Sequence, residues 1–445
     1  MPGPRGMTSY KRDAMGLGLA VLNWVASSPA LDRLRLRRPA ERAVYEATKT
    51  GYRTAGAVGR TFARVSATGS PARLPASPSG GQFDLTPTED QQLILAVVRE
   101  FADEVLAPAA AEADSACTTA EKVLAQSQDL GLNLLELPED LGGLVERRAT
   151  TTSVLVAEGL ARGDMGQAVA CLAPGSVATA LALWGDATQQ QTYLPAFTAD
   201  EPFAAALAIA EPSTLFDPFR LSTKAVRDGD DLVLSGVKSA VVRGADADLF
   251  VLAADLDGPG PALLLVESGS PGLTVEADPS MGVRAASLAR LHLDRVRVPG
   301  SALIGAGDPR AYAECVRLSR LAWSALALGT AQAVLDYVVP YVKERRAFGE
   351  PIAYRQSVAF MVADIGIELE GMRLATYRAA ARAEQGKDIG REGAIARRLT
   401  GEYGMRIGTD GVQLLGGHGF VKDHPVERWY RDLRAVGLME GAVLV

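Results

Sequence analysis

Cysteine and histidine are both scarce in this 445-residue sequence. The cysteines are Cys117, Cys171 and Cys315. They lie far apart and match neither a metal-ligand spacing nor a disulfide framework, which predicts a protein of a reducing compartment. The histidines are His292, His418 and His424. None belongs to a ligand-like pair, so we expect no metal site and no Ser-His-Asp triad.

Near its start the sequence also lacks an apolar run long enough to span a bilayer. The run "MGLGLAVLNWVA", residues 15–26, is too short for that and lacks the cleavage site of a secretory leader. Hydrophobic residues make up 48% of the chain and charged residues 22%, which is typical of a soluble globular protein. We therefore expect a cytoplasmic protein of two or three domains, or of one large layered unit.

Charge is distributed unevenly along the chain. Residues 1–65 contain twelve Lys or Arg and four Asp or Glu, a net charge of +8, so the remainder carries −15 of the total of −7. A basic segment on an acidic body suggests a partner of its own. An interfacial helix at the inner face of a membrane is one interpretation. A helix docked on the body or on a second subunit is the favoured one, and we expect no nucleic-acid partner.

The order of patterns predicts an α+β protein. After a basic helical extension (1–65), a Ser-, Pro- and Gly-rich linker covers 66–82. An N-terminal α-domain is predicted for 83–206, its first helix capped by Thr86 or Thr88. Residues 207–304 alternate like strands, with a hairpin signal at Asp228-Gly229, and predict a middle β-domain, a small barrel or sandwich. Helical periodicity returns over 305–445.

Two motifs near the end of the chain are ambiguous when taken singly. "GGHG", residues 416–419, follows a helix and not a strand, so it is no dinucleotide fingerprint and favours a helix end with a tight turn. "ERRAFGEPI", residues 344–352, combines arginines that suit a phosphate with a Gly that equally suits a helix stop.

In order, however, these motifs resemble the acyl-CoA dehydrogenase family. The matching stretches are "RRAFGEPIAYRQSVAFMVADI", then "QLLGGHGFVKDHPVERWYRD", then the pair "EG" at Glu440-Gly441. "YLPAFTADEPFAAALAIAEP" and "MGVRAASLARLHLDRVRVP" match the family's entry to its β-domain and its exit. The resemblance covers roughly residues 83–445, and its several ordered motifs are specific together.

The resemblance implies an N-terminal helical domain, a middle β-domain and a C-terminal four-helix bundle. It implies FAD at a dimer interface within a tetramer, an acyl-CoA substrate, and an electron-transfer flavoprotein as electron acceptor. The implied FAD contacts are Arg345 and Phe348 from one subunit, Gln413, Gly416 and Gly417 from its neighbour, and also Gln356, Ile209 and Ala210. Gln356 follows Arg355, where the family usually has a histidine or similar residue. The implied substrate contacts are Arg320, Asp217 and Gly441.

Glu440 is the base that the resemblance implies for removing the α-proton of the acyl-CoA. Relatives that act on branched or long chains carry the base directly before the arginine of the first bundle helix. Ser319 occupies that position here, so Glu440 is the only candidate. A base for so weak an acid needs a raised pKa, which a dry pocket supplies.

Several positions depart from the family pattern. Its glycine-rich loop is "EPSTLFD" here, residues 211–217, with Leu215 and Phe216 in place of Gly and Ser. Ala240 and Val242 replace a Trp and a Thr beside the flavin. Phe216 is expected to reshape the space for the thioester, and FAD to bind weakly or differently. The favoured interpretation is an acyl-CoA dehydrogenase; the alternatives are a degenerate subunit of a heteromer and a flavin oxidation of a non-CoA substrate.

Overall fold

The computed structural model describes residues 86–146, 148–199, 203–258 and 260–443. The predicted basic extension and linker lie outside these residues. Within them, helices at both ends of the chain enclose a sheet made from its middle, which confirms the predicted α+β class.

The N-terminal helices are α1 (Glu89–Phe101), α2 (Ala107–Ala116), α3 (Glu121–Asp129), α4 (Thr150–Gly163), α5 (Met165–Trp184) and α6 (Ala187–Phe197). The predicted cap of the first helix is confirmed at Thr88, which accepts from Gln91 N while the Gln91 side chain accepts from Thr88 N. One short π-helix, Ala102–Leu106, joins α1 to α2. Asp164 ends α4 and caps α5, which sets the sharp corner between the two helices.

The middle sheet has strands β1 (Ala205–Ala208), β2 (Lys224–Asp228), β3 (Asp231–Val241), β4 (Leu249–Leu256), β5 (Gly260–Glu267), β6 (Leu273–Ala277) and β7 (Ala289–Pro299). Their order is β1-β4-β2-β3-β7-β6, and β5 pairs with the other edge of β4 from Leu249 to Leu256. The predicted hairpin is confirmed: Asp228 pairs with Asp231 across a two-residue turn at Gly229, whose φ is +66°. The register between β3 and β7 shifts between Lys238 and Val241, and Ala240 has a φ of +51° there.

The C-terminal helices are α7 (Pro309–Glu344), α8 (Gln356–Glu384), α9 (Gly390–Leu415) and α10 (Val426–Ala435). A short hairpin of β8 (Arg346–Ala347) and β9 (Glu350–Pro351) follows α7. Helix α7 packs against α4 of the N-terminal domain and against α8 and α9. Nine consecutive residues of α7, 323–331, are buried, because the middle of this helix packs against both helical domains.

Two hydrophobic cores divide the described residues. One joins the helices of both helical domains, and the other fills the β-sheet. Helix α5 contributes to both cores, with Met165 and Cys171 in the first and Val177 and Leu181 in the second. The N-terminal domain, the sheet and the C-terminal helices thus meet along α5 and α7.

Two described helices, α5 and α7, are long and apolar enough to cross a membrane. In each, 61% of the most apolar 18-residue window is buried inside the protein. Their apolar side chains are therefore used in the two cores, as in the central helices of soluble proteins.

Candidate active site

Glu440 lies in the turn that follows α10 and has a left-handed backbone, with a φ of +56°. Gly441 has a φ of +101°, and a Cβ there would lie 2.6 Å from Pro218 Cδ and 2.7 Å from Arg320 Nη2. Only glycine fits this position without displacing its neighbours. A non-glycine residue in the left-handed region is strained, and such strain persists where surrounding contacts over-determine the backbone.

A buried arginine and a partly buried one hold this turn through its carbonyl groups. Arg397 of α9 donates to the carbonyl oxygens of Val436, Met439 and Gly441, the last at 2.6 Å. Arg320 of α7 donates from Nε to the carbonyl oxygen of Glu440 at 2.8 Å. These contacts fix the backbone on both sides of the Glu440 side chain.

The Glu440 side chain points inward and is 7% exposed. Ser319 Oγ donates to its Oε1 at 3.0 Å. Burial raises the pKa of the carboxyl group, and the hydrogen bond from Ser319, the charges of Arg397 and Arg320, and Trp323 partly offset that rise. A carboxyl group in this setting takes up a proton more readily than a solvated one, which is what a base for a weak carbon acid requires.

Glu440 and Ser319 line an internal cavity of about 200 Å³ between the N-terminal helices and α7. Its walls are mainly apolar side chains of α4, α5 and α7, including Val154, Ala157, Val169, Leu172, Leu318, Ala322, Trp323 and Leu326. Leu207 of β1 and Val242, just after β3, also contribute. The cavity can hold an apolar chain with one end against a carboxylate.

The residues that the resemblance assigns to the flavin nucleotide lie far from Glu440 in the same chain. Arg345 caps the C-terminus of α7, 25 residues after Arg320, which is roughly 37 Å along a helix. Arg345, Phe348, Gln356, Gln413, Gly416 and Gly417 are all exposed. The first and last of these segments lie together, because Tyr341 Oη is 3.4 Å from His418 Nδ1. The end of α7 and the end of α9 are therefore close together within one chain, and the contribution of the two segments to one FAD from different subunits stays a prediction.

Ile209 and Ala210 contribute backbone groups to the end of β1. Lys238 Nζ donates to the Ile209 carbonyl oxygen at 3.1 Å, and Ser239 N donates to that of Ala210 at 2.9 Å. Lys238 also pairs with Glu211 at 2.9 Å, with both side chains buried. Burial lowers the pKa of Lys238 to about 8. These contacts lock β1 to β3 next to the wall of the cavity.

Arg320 and Asp217, the predicted substrate contacts, have different surroundings. Arg320 holds the Glu440 carbonyl through Nε, and its buried Nη2 has no hydrogen-bond partner among the described residues. Asp217 accepts from Phe219 N at 3.0 Å and lies 3.7 Å from Arg220 Nε. Asp217 is not among the described residues that line the cavity.

Phe216, one of the departures from the family pattern, has a clear structural position. Phe216 is 7% exposed and packs in the core of the β-sheet. It is not among the described residues that line the cavity, so its ring fills the β-domain and not the space beside Glu440. Its carbonyl oxygen accepts from Ala442 N at 3.0 Å. The loop 211–217 therefore supports the turn that carries Glu440.

Arg397 and Trp323 are site residues that the sequence analysis missed. Arg397 is followed by Arg398, and nothing in the local sequence separates the buried arginine, 4% exposed, from the exposed one. A helical period through Ala396, Thr400 and Gly404 could have placed Arg397 next to the buried face. Among the described residues no group of His, Cys, Asp and Glu could hold a metal ion.

Comparisons with known proteins match all three parts of the described chain. Residues 88–201, 206–296 and 310–443 match the family models "Acyl-CoA dehydrogenase, N-terminal domain", "middle domain" and "C-terminal domain". A probable acyl-CoA dehydrogenase of Mycobacterium leprae is 32% identical over 81% of this chain and 94% of its own length. The mitochondrial short-chain specific acyl-CoA dehydrogenase of Rattus norvegicus is 31% identical over 79% of this chain and 87% of its own.

A solved structure of the electron transferring flavoprotein of Acidaminococcus fermentans contains a chain similar to this one. It has a TM-score of 0.75 and 31% identity, and the match covers 81% of this chain and 97% of that one. The predicted family is confirmed, and a degenerate subunit is not favoured. The chain belongs to the acyl-CoA dehydrogenase family, whose members are FAD-dependent oxidoreductases acting on CH–CH groups.

Proposed function

We propose that this protein oxidises an acyl-CoA thioester to the trans-2-enoyl-CoA, with Glu440 as the base. The observation that carries the proposal is the position of Glu440, a buried carboxyl group at the wall of an apolar cavity. Its carboxylate takes the proton from the α-carbon. The hydrogen bond from Ser319 to the carboxylate and the one from Arg320 to the Glu440 carbonyl oxygen hold the residue in place for that step. The β-hydrogen leaves with its electron pair, and bound FAD supplies the acceptor for that hydride.

The residues present fit an FAD whose nucleotide is held at the surface. A Cβ at Gly349, Gly416 or Gly417 would meet nothing within 4 Å, although the positive φ of Gly349 and Gly416 by itself favours glycine at those two positions. These glycines permit the close approach of a ligand to the backbone. The exposed guanidinium of Arg345 suits a phosphate nearby. Leu207 and Val242 offer the flavin ring apolar contact but no side-chain hydrogen bond.

The protein purified with its cofactor is therefore expected to be yellow. Arg345→Glu places a negative charge where a phosphate is expected, and FAD should bind about tenfold or more weakly, because hydrogen bonds to charged groups contribute ~1.5–3 kcal/mol. Arg391→Ala, an exposed arginine at the start of α9, is the matched control and should keep its FAD. The measurement is visible flavin absorbance. A wild-type protein that stays colourless after incubation with FAD would contradict the flavin assignment.

A second copy of the chain, or a close homologue, is proposed to complete each site. Arg320, beside Glu440, and Arg345 are roughly 37 Å apart along α7, so the predicted nucleotide contacts of one chain lie far from its own Glu440. Helix α8 also exposes Phe360, Ile367 and Leu374, which recur every seven residues on one face. Such a stripe suits burial against another helical surface. We propose a dimer or tetramer on this basis.

Ser319→Ala is expected to move the pH dependence of substrate oxidation upward. The Ser319 hydrogen bond favours the charged form of Glu440, so its loss raises the Glu440 pKa further. The base must be unprotonated to act, so activity falls as pH drops through that pKa. The low-pH limb should shift upward by about half a unit to one unit. Ser319→Thr keeps a hydroxyl group and should stay near wild type. Stopped-flow flavin reduction between pH 5 and 9 measures the shift; an unmoved limb in Ser319→Ala would exclude this role.

An electron-transfer flavoprotein is proposed as the partner that reoxidises the enzyme. The solved structure of the electron transferring flavoprotein of Acidaminococcus fermentans contains a chain similar to this one, which supports this choice. The predicted cytoplasmic location agrees with the use of both long apolar helices inside the two cores.

Peripheral membrane contact through residues 1–65 stays a prediction. Deleting them is expected to move the protein from anionic liposomes to the supernatant without loss of flavin, because basic side chains contribute about 1 kcal/mol each near an anionic surface. Equal partitioning of both proteins in a co-sedimentation assay would instead favour docking on the body or on another subunit.

A further inference from the structure

We propose that the cavity contains a second polar site, formed by Asn133, Glu136, Arg148 and Ser153, that binds an uncharged hydrogen-bonding group on the acyl chain of the substrate. All four residues line the same cavity as Glu440. The inference rests on the proposed function and deepens it. The substrate class it names is an acyl-CoA with a hydroxyl, keto or amide group on its acyl chain.

Arg148 has one donor that the fold does not use. Its Nη1 donates to Glu314 Oε1 at 2.8 Å, and its Nε donates to Thr150 Oγ1 at 3.1 Å. The buried Nη2 has no hydrogen-bond partner among the described residues. Hydrogen bonds from two of the three guanidinium nitrogens thus hold the guanidinium group in place, and the N–H groups of the third nitrogen are free to donate to a ligand. An unpaired buried donor is costly, so its presence on a cavity wall points to a ligand.

Ser153 and Asn133 complete the set with a hydroxyl group and an acceptor. Ser153 Oγ and Asn133 Oδ1 are buried without a hydrogen bond of good geometry within the described ranges, although Ser153 lies near enough to Glu136 to lower its pKa. Asn133 Nδ2 donates to the Phe197 carbonyl oxygen at 2.7 Å, which orients the amide and leaves Oδ1 as the free atom. A hydroxyl group on a ligand can donate to Oδ1 and accept from Arg148 or Ser153.

This polar site is separate from Glu440. Glu136 has Ser153, Arg148, Ala149 and Thr150 as neighbours, whereas Glu440 accepts from Ser319 and has Arg320, Arg397 and Trp323 around it. Glu314, the partner of Arg148, precedes Ser319 by five residues on α7, which is roughly 7.5 Å along the helix. A chain with its α-carbon at Glu440 therefore reaches the polar site several carbons away.

The charges of the polar site favour a neutral group over a carboxylate. Glu314 already neutralises Arg148. Burial raises the pKa of Glu136, against the opposing effects of Ser153, Arg148, Ala149 and Thr150. A ligand carboxylate would add a negative charge to a site with no free cation among the described residues. An unsubstituted alkyl chain would leave three buried polar atoms unpaired.

The test compares hexanoyl- and octanoyl-CoA with their ω-hydroxy forms and with adipyl-CoA. Binding is measured by calorimetry on the holoenzyme with Glu440→Gln, in which flavin reduction is expected to be slow, and kcat/KM is measured on the wild type. We expect one ω-hydroxy ester to exceed its alkyl counterpart by about tenfold or more in both measurements, because a site built for a hydroxyl group rejects an analogue without one. Adipyl-CoA should bind more weakly than the hydroxy ester.

Variants separate the polar site from general effects on folding. Ser153→Ala and Arg148→Met should reduce the hydroxy-over-alkyl preference to about threefold or less, whereas Thr151→Ala, in the same turn of α4, should retain it. Equal binding of hydroxy and alkyl esters to the holoenzyme would overturn the inference. Equal losses of binding for both esters in the variants would also overturn it, because the polar site would then contact the CoA part that both esters share. Failure of every ester to reduce the wild-type flavin would instead refute the proposed function, and the binding comparison would still decide the polar site.

Discussion

Replacing Glu440 by Gln is expected to slow flavin reduction by acyl-CoA by a factor of about 10²–10⁴ or more. Gln keeps the size of the side chain and can still accept from Ser319, whose Oγ lies 3.0 Å from the Glu440 carboxylate. It cannot take up the α-proton. Acyl-CoA should still bind, since the apolar cavity walls are unchanged. Stopped-flow spectroscopy at saturating substrate measures the rate, and calorimetry measures binding.

Position 319 provides a matched test of the same pocket. Ser319 offers no second carboxylate, so we expect no residual base there. Adding Ser319→Glu to Glu440→Gln should restore part of the rate, because both side chains line one cavity and touch each other. If Glu440 merely faced solvent, Glu440→Gln would change the rate by less than about threefold. Rapid reduction by Glu440→Gln would rule out Glu440 as the base.

Replacing Arg397 by Met is expected to cost both stability and rate. The substitution leaves the carbonyl oxygens of Val436, Met439 and Gly441 without their donor. Unpaired buried polar groups cost ~1–3 kcal/mol each, so about 3 kcal/mol or more of unfolding free energy should be lost. The turn that carries Glu440 should also shift, and a displacement of about 1 Å can slow an oriented reaction by about 10²-fold.

Arg398 is the matched control for Arg397. It is the next residue of α9, it is exposed, and it pairs with Glu402 at 3.0 Å on the surface. Such a pair contributes ~0–1 kcal/mol, so Arg398→Met should leave unfolding and flavin reduction nearly unchanged. Urea unfolding and stopped-flow reduction, both well below the melting temperature, separate the two losses in Arg397→Met. Wild-type kinetics and stability in Arg397→Met would contradict its positioning role.

Much of the fold could be predicted from periodicity and local chemistry. The Thr88 cap depends on residues within one turn, and the hairpin at Gly229 depends on four consecutive residues, so both are legible in the sequence. Glu440 could be singled out because a lone carboxylate followed by glycine stands among apolar residues. Ordered motifs then gave the family, which no single motif could give.

Contacts between residues distant in the chain could not be predicted. Arg397 lies 43 positions before Glu440, and its role depends on the α9 face that happens to meet the turn after α10. Phe216 was expected beside the thioester, but the backbone of its loop turns the ring into the β-sheet core. The proximity of Tyr341 to His418 likewise depends on how α7 and α9 pack. Tertiary packing decides each of these outcomes.

The polar atoms of the cavity show the same limit. Asn133, Arg148 and Ser153 look like ordinary loop and helix residues in the sequence. Their importance shows only in the three-dimensional structure, where each retains a buried polar atom without a hydrogen-bond partner in the described part of the chain. Such atoms are visible only once every neighbour has been placed.

The most direct measurement of the central claim is exchange of the substrate α-hydrogen with solvent deuterium. The holoenzyme is incubated in D₂O with an acyl-CoA whose β-position carries a heteroatom, so that proton removal can occur and oxidation cannot. Mass spectrometry then follows deuterium at the α-carbon. The wild type should incorporate deuterium, and Glu440→Gln should do so at least about 10²-fold more slowly while binding the ligand equally. Exchange at the wild-type rate in Glu440→Gln would show that another group removes the proton.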